Sequence, residues 1–151
     1  MRSMPGWKKK WGQILMDKAL NYVALARKAG RIELGEEPVG AAARAQHARL
    51  VIVASDASDH TWRRAMSFVA GTEQKCIRIP YSKDQLGEAI GRTALAIAAF
   101  TDPALALAFA KALPQPDPSL LESLDRRVRR IAQRQKEEKA HQRNKRTGKK
   151  K

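Results

Sequence analysis

The chain predicts an α/β fold: a three-layer α/β/α sandwich around a small mixed four-stranded sheet, with a basic C-terminal helix and tail. Three observations carry this. Two short runs, Leu50 to Ala54 and Ala94 to Thr101, are almost wholly apolar, as strands in the middle of a covered sheet must be. A glycine-marked helical segment precedes each run. Gly35-Glu36-Glu37 opens an alanine-rich helix before the first, and Leu86-Gly87-Glu88-Ala89-Ile90-Gly91 leads into the second. Turn and capping residues recur between these segments, so helices and strands alternate along the chain.

Taken in order, residues 1–16 read as a basic flexible arm. Asp17 is placed as the N-cap of a first helix carrying Ala19, Leu20, Val23 and Leu25-Ala26. Gly30 suits a left-handed C-cap, with Arg27 and Lys28 in the last turn. Arg31 to Leu34 is a short strand. Gly35 turns the chain into a second helix through Gln46, and Pro38 falls in its first turn, where a missing amide deprives nothing of a partner. After Leu50 to Ala54 comes the turn Ser55-Asp56-Ala57-Ser58, then a third helix from Asp59 to Ala70 that buries Trp62 and Phe68 and closes at Gly71. Cys76 to Ile79 is the next strand, stopped by Pro80. Ser82 and Gln85 match a capping box that starts a short helix. Asp102 and Pro103 make a cap and first-turn pair for a helix through Leu113.

Pro114, Pro116 and Pro118 break the chain. The reading therefore has a domain at 17–113 that folds on its own, a linker at 114–118, and a basic helix with a disordered tail at 119–151. Ser119 and Glu122 match a second capping box. Leu120, Leu121, Leu124, Val128 and Ile131 form a stripe too narrow for firm docking, so that helix is expected to dock weakly or stand alone.

The chain has 30 basic and 15 acidic side chains, a net charge of +15, and the excess lies at the ends. Residues 1–18 carry +4, residues 19–121 only +2, and residues 122–151 carry +9. Cationic ends attract polyanions, and nucleic acid is the commonest. A solubilising tail is the plainer alternative. Neither end joins its charge to a wide apolar face, which argues against a membrane surface. Asp102 and Pro103 interrupt the one stretch of membrane-span length, Ala94 to Leu113, so it is read as two buried elements. With no secretory signal and a single cysteine, Cys76, read as a buried structural thiol, the chain is expected to be cytoplasmic.

The catalytic inventory is thin. His47, His60 and His141 are too scattered to bind zinc with one cysteine, so no metal is expected. There is no phosphate loop and no nucleophile elbow. Glu36 and Glu37 suit a helix N-terminus better than an acid/base pair. The expectation is a non-enzyme with no cofactor and no small-molecule substrate. Gly87 and Gly91 have a spacing that in soluble proteins means close packing or a turn. Trp7 and Trp11 flank Lys8, Lys9 and Lys10, which suits either stacking on unpaired bases or a helical pair.

Several segments in order resemble the ribosomal protein family named L-seven-Ae, and most closely its bacterial YlxQ-like branch. They are Ala26-Arg27-Lys28-Ala29-Gly30-Arg31, Gly35-Glu36-Glu37, Ala54-Ser55-Asp56-Ala57-Ser58, Leu86 to Gly91, and Thr101-Asp102. The resemblance covers about residues 17–113. It implies the α/β/α sandwich and an RNA partner, structured or ribosomal, gripped at the start of the second helix and by the loop after the second glycine segment. Matching positions are Gly35, Glu36 and Glu37, then Arg92, Thr93 and Ala94 for the loop; Lys28, Arg31, Arg44 and Arg92 are candidates for phosphates. Kink-turn-binding members carry Gly-x-Asn-Glu-x-x-Lys at the helix start. Here Glu37, Pro38 and Ala41 replace the asparagine, glutamate and lysine, so the groups that read the sheared base pairs are missing. Two other readings remain: a protein-interaction module of the same fold that binds ribosomes or another partner through its tail, and the substrate-recognition domain of an RNA methyltransferase. Nothing after Pro118 is apolar enough to form a cofactor domain for the latter.

Overall fold

A computed structural model describes residues 17–146. The expectations for the basic arm, with Trp7 and Trp11, and for the last five residues lie outside the described residues.

Among the described residues ten elements follow one another: α1 (Lys18–Ala29), β1 (Ile32–Leu34), α2 (Glu36–Arg44), β2 (Leu50–Val53), α3 (Asp59–Val69), β3 (Lys75–Arg78), α4 (Lys83–Ala89), β4 (Ile97–Phe100), α5 (Pro103–Ala112) and α6 (Pro118–Arg146). The four strands form one mixed sheet in the order β1-β4-β2-β3. β4 is antiparallel to both β1 and β2, while β2 and β3 are parallel. α2 and α3 cover one face, and α1, α4 and α5 cover the other, with α6 packed on α5. The expected sandwich is the fold found.

The central strands are apolar because both their faces are covered. Every residue of β2 and β4 is buried, whereas the edge strands β1 and β3 alternate or expose their ends. Phe100 meets Phe109 of α5 with ring centroids 5.0 Å apart, fastening the helical layer to the sheet. Local signals place the helix ends. Gly30 closes α1 in the left-handed region at φ 67°. Ser82 and Gln85 form the capping box of α4 with both reciprocal bonds, and Asp102 caps α5 by accepting from the Ala104 N–H at 3.1 Å.

Several expectations are corrected. Asp17 does not cap α1 with its side chain; its Oδ1 accepts from the Tyr81 hydroxyl at 2.7 Å. Burial, followed by that carboxylate, raises the Tyr81 pKa. Ala94 to Ala96 are not strand: the Leu95 N–H turns back to the Lys83 carbonyl (2.9 Å), and regular pairing begins at Ile97. Trp62 and Phe68 are only half-buried and lie under cations, Arg78 and Arg64, at 5.0 and 5.3 Å from the ring centres.

α6 departs most from its expectation. It starts at Pro118 rather than Ser119, because Asp117 accepts from the Ser119 N–H (3.1 Å) and Pro118 fills the first helical position. Its first turns do not stand free: Leu120 and Leu124 are buried in the common core. Helical geometry continues to Arg146, across a stretch expected to be disordered.

Gln74 is the fold's main buried polar side chain and carried no sequence signal. At 2% exposure, its Oε1 accepts from the Ala48 N–H (3.0 Å), and its Nε2 donates to the Ala43 carbonyl (3.1 Å) and to Thr72 Oγ1 (3.2 Å). It thereby satisfies the backbone of the bend between α2 and β2. Gln74→Leu removes the partner of two buried backbone groups and is expected to cost about 2–4 kcal/mol. Urea unfolding checks this; a loss under about 0.5 kcal/mol would mean water replaces the amide.

Candidate nucleic-acid interface

β1, β2 and β4 bring three connections to one end of the sheet. Gly35 starts α2 there at φ 99°, a conformation open to glycine, and its N–H donates to the Ile97 carbonyl at 3.0 Å. The connection between α4 and β4 is anchored beside it. The Arg92 N–H bonds the Gly87 carbonyl (2.8 Å), and the Ala96 carbonyl accepts from the Ala54 N–H (2.9 Å). Asp56 in the turn after β2 ties in α4 by accepting from the Lys83 N–H (2.8 Å). The start of α2 and the loop carrying Arg92, Thr93 and Ala94 thus hang from the same end of β4, and these three loop residues are exposed.

The glycines at this end do what their spacing implied. A Cβ on Gly87 would lie 2.7 Å from both the Ala94 Cα and N and 2.8 Å from the Thr93 carbonyl carbon, so the loop passes directly over α4. Gly91 makes the turn at φ 75° with open space around it.

The predicted site residues divide into two groups. Gly35, Glu36, Glu37, Arg92, Thr93 and Ala94 come together at this end. Lys28, Arg31 and Arg44 do not join them. Lys28 and Arg44 are in the last turns of α1 and α2, and Arg31 precedes β1, where its carbonyl accepts from the Thr101 N–H (2.9 Å). All three are at the opposite end of the sheet, the length of α2 away, about 13 Å at the usual helical rise. Glu36 and Glu37 also differ. Glu36 is half-buried with its Oε1 3.6 Å from Arg64 Nε of α3, whereas Glu37 is exposed in the first turn, where a carboxylate complements the helix dipole. Pro38 and exposed Ala41 complete the helix start without adding a polar side chain.

At the far end the structure gathers a basic cluster that sequence reasoning missed. Arg127 of α6 is 9% exposed beside Arg126 and Arg130. Burial lowers its pKa, the neighbouring Arg49 lowers it further, and Glu73 opposes them. The available signal was position: Arg127 falls on the helical stripe of Leu120 and Leu124, where an apolar residue belongs.

No group of His, Cys, Asp and Glu side chains among the described residues could hold a metal ion. Burial pushes the Cys76 thiol up to about 12, which fits an inert structural cysteine. No helix among the described residues is long and apolar enough to cross a membrane.

The fold and its surface define a small α/β/α binding domain that presents a helix start and a loop together at one end. The chain belongs to the Ribosomal protein L7Ae/L30e/S12e/Gadd45 family, whose model matches residues 17–106. It is 33% identical over 75 residues, half of this chain and 72% of the relative, to the RNA-binding protein YlxQ of Enterococcus faecium. Among solved structures, a protein of unknown function from Bacillus halodurans C superposes with a TM-score of 0.61 at 25% identity, covering 66% of this chain and 99% of that one. The 15.5kD RNA binding protein of Giardia lamblia shares the fold, with a TM-score of 0.55 at 22% identity over 71% of this chain and 87% of its own.

Proposed function

We propose that this chain is a non-catalytic RNA-binding protein that grips structured RNA, ribosomal or similarly folded, at the end of the sheet formed by Gly35, Glu37 and the Arg92–Ala94 loop. The observation that carries this is the joint anchoring of the α2 start and that loop on β4, since a helix N-terminus and an adjacent loop can hold a backbone and a base together. The family and the YlxQ relative support RNA as the partner. Affinity comes mainly from the cationic α6 and shape preference from the α2 end. The 17–113 region is the recognition unit and α6 its anchor, acting in the cytoplasm. Crosslinking in cells followed by sequencing of the bound RNA tests the reading. Recovery of folded ribosomal segments supports it, and no enrichment over background overturns it.

Recognition at the α2 end is by shape more than by base. With Glu37, Pro38 and Ala41 at the helix start, a standard kink-turn is expected to bind little better than the same RNA with its sheared pairs replaced. A preference above roughly 3 kcal/mol, the upper side of one good bidentate base contact, would show that other residues read the kink. Glu37 and Arg92 are then the positions to substitute.

The same three residues favour a second reading, a protein-interaction module whose α2 end meets a protein and whose α6 meets the ribosome. Binding to a panel of RNAs that is weak and independent of salt would favour it.

A further inference from the structure

The basic cluster at the far end is an incomplete ion pair built into the fold. Arg127 lies on the core-facing stripe of α6, and its Nη1 is buried with no hydrogen-bond partner. Arg49, which enters β2, has a buried Nε that is likewise unpartnered. Beside Arg127 opens a cavity of about 140 Å³ lined by Glu73, Lys75, Ser123, Arg126, Arg127 and Arg130. Glu73 is the one carboxylate in that lining, and it is already engaged by Arg130 at 3.2 Å. Burying a guanidinium is costly unless an anion meets it with hydrogen bonds. Here three arginines and a lysine share the cavity with a single, mostly exposed carboxylate, and a fourth arginine, Arg49, acts on Arg127, so the described residues lack the anion these buried groups require.

We propose that this cavity is a phosphate-binding site that takes a phosphodiester of bound RNA. The planar guanidinium forks of Arg127 and Arg126 match phosphate oxygens, with Lys75 adding a point charge and Ser123 a hydroxyl donor. The cavity has room for one such group. It lies at the end of the sheet away from Gly35 and Arg92, so it gives RNA a second point of attachment and sets its direction across the domain. The RNA source of the phosphate rests on the function proposed above; the anion site does not.

The test uses the full chain. Its melting temperature is measured in sodium phosphate and in sodium chloride of equal ionic strength, and its RNA affinity is measured across a salt titration. Phosphate is expected to raise the melting temperature above that in chloride. Arg127→Met, close in shape but uncharged, should melt no lower than wild type in chloride, lose the phosphate response, and bind RNA about tenfold more weakly with a slope shallower by about one phosphate contact. Arg126→Gln, at the exposed rim, repeats both measurements should Arg127→Met fail to fold, and should halve the phosphate response or more. No phosphate response in wild type overturns the site, whether or not RNA binds. A phosphate response with RNA affinity unchanged in both variants overturns RNA as its source and leaves free phosphate as the ligand. A phosphate response that Arg127→Met or Arg126→Gln loses, in a wild-type chain that binds no RNA, supports the anion site and sinks the RNA-binding function instead, whereas a response kept in full by both variants is the general salt effect of phosphate and overturns the site.

Discussion

A chain cut after Ala132 is expected to stay folded and lose most of its affinity for RNA at low salt. From Gln133 to Lys145 every residue of α6 is exposed, and the apolar stripe has ended. These described residues therefore contribute nothing to the core, and stability should change by less than about 0.5 kcal/mol on the cut. It does remove nine basic side chains against two acidic ones. Each phosphate neutralised adds about 0.7–0.9 to the slope of log affinity against log salt. If four to six of these cations meet phosphates, the slope should flatten by about 3–5 units. Folded and unstructured RNA of equal length should lose affinity alike, because the segment reads charge and not shape. An unchanged slope would leave the segment as a solubilising or protein-binding extension and would favour the interaction-module reading.

Gly87→Ala is expected to have the largest effect of any single methyl group in the domain. The new carbon would lie 2.7–2.8 Å from backbone atoms of Thr93 and Ala94, which cannot rotate away as a side chain can. Either α4 shifts or the loop lifts, at a cost of about 2–3 kcal/mol. The lifted loop carries Arg92, Thr93 and Ala94, so preference for folded over unstructured RNA should fall with stability. Gly91→Ala separates space from backbone angle. Its surroundings are open, and only the positive φ of 75° resists a side chain, at about 1–2 kcal/mol. Denaturant unfolding of the two variants checks the order. A Gly87→Ala protein as stable as wild type would mean that the loop does not press on α4 as described.

The layers of the fold were legible because their signals are local. β2 and β4 show as apolar runs, Gly30 and Gly35 mark the ends of α1 and the start of α2, and Ser82 to Gln85 and Asp102-Pro103 cap their helices within a few residues. What stayed illegible depends on partners far along the chain. Gln74 bonds backbone 26 and 31 residues away, and Asp17 is drawn from its capping position by Tyr81, 64 residues on. Ala94 to Ala96 have the composition of a strand, but the close approach of α4 at Gly87 holds them out of the sheet. The grouping of Lys28, Arg31 and Arg44 with Arg92 failed for a similar reason. Strand direction decides which end of the sheet a residue reaches, and charge along the sequence carries no record of it. Arg127 was masked by its neighbours: its spacing from Leu120 and Leu124 puts it on the buried stripe, but in a run of arginines charge outweighs position as a signal.

The sheet order has a consequence for the newly made chain. β4 sits between β1 and β2 and pairs with both, so the sheet cannot close until Phe100 has been synthesised, about two-thirds of the way along. Until then β1 and β2 have no common partner, and the chain carries little net charge beyond its first residues. The arginines and lysines of α6 emerge after every strand of the sheet is available for pairing. Apart from the few basic residues at the start, the cationic part of the sequence is thus never attached to an open sheet for long. A polyanion waiting at the site of synthesis meets a domain able to close before it meets the segment that would hold the unfolded chain, so timing along the chain guards folding against premature capture.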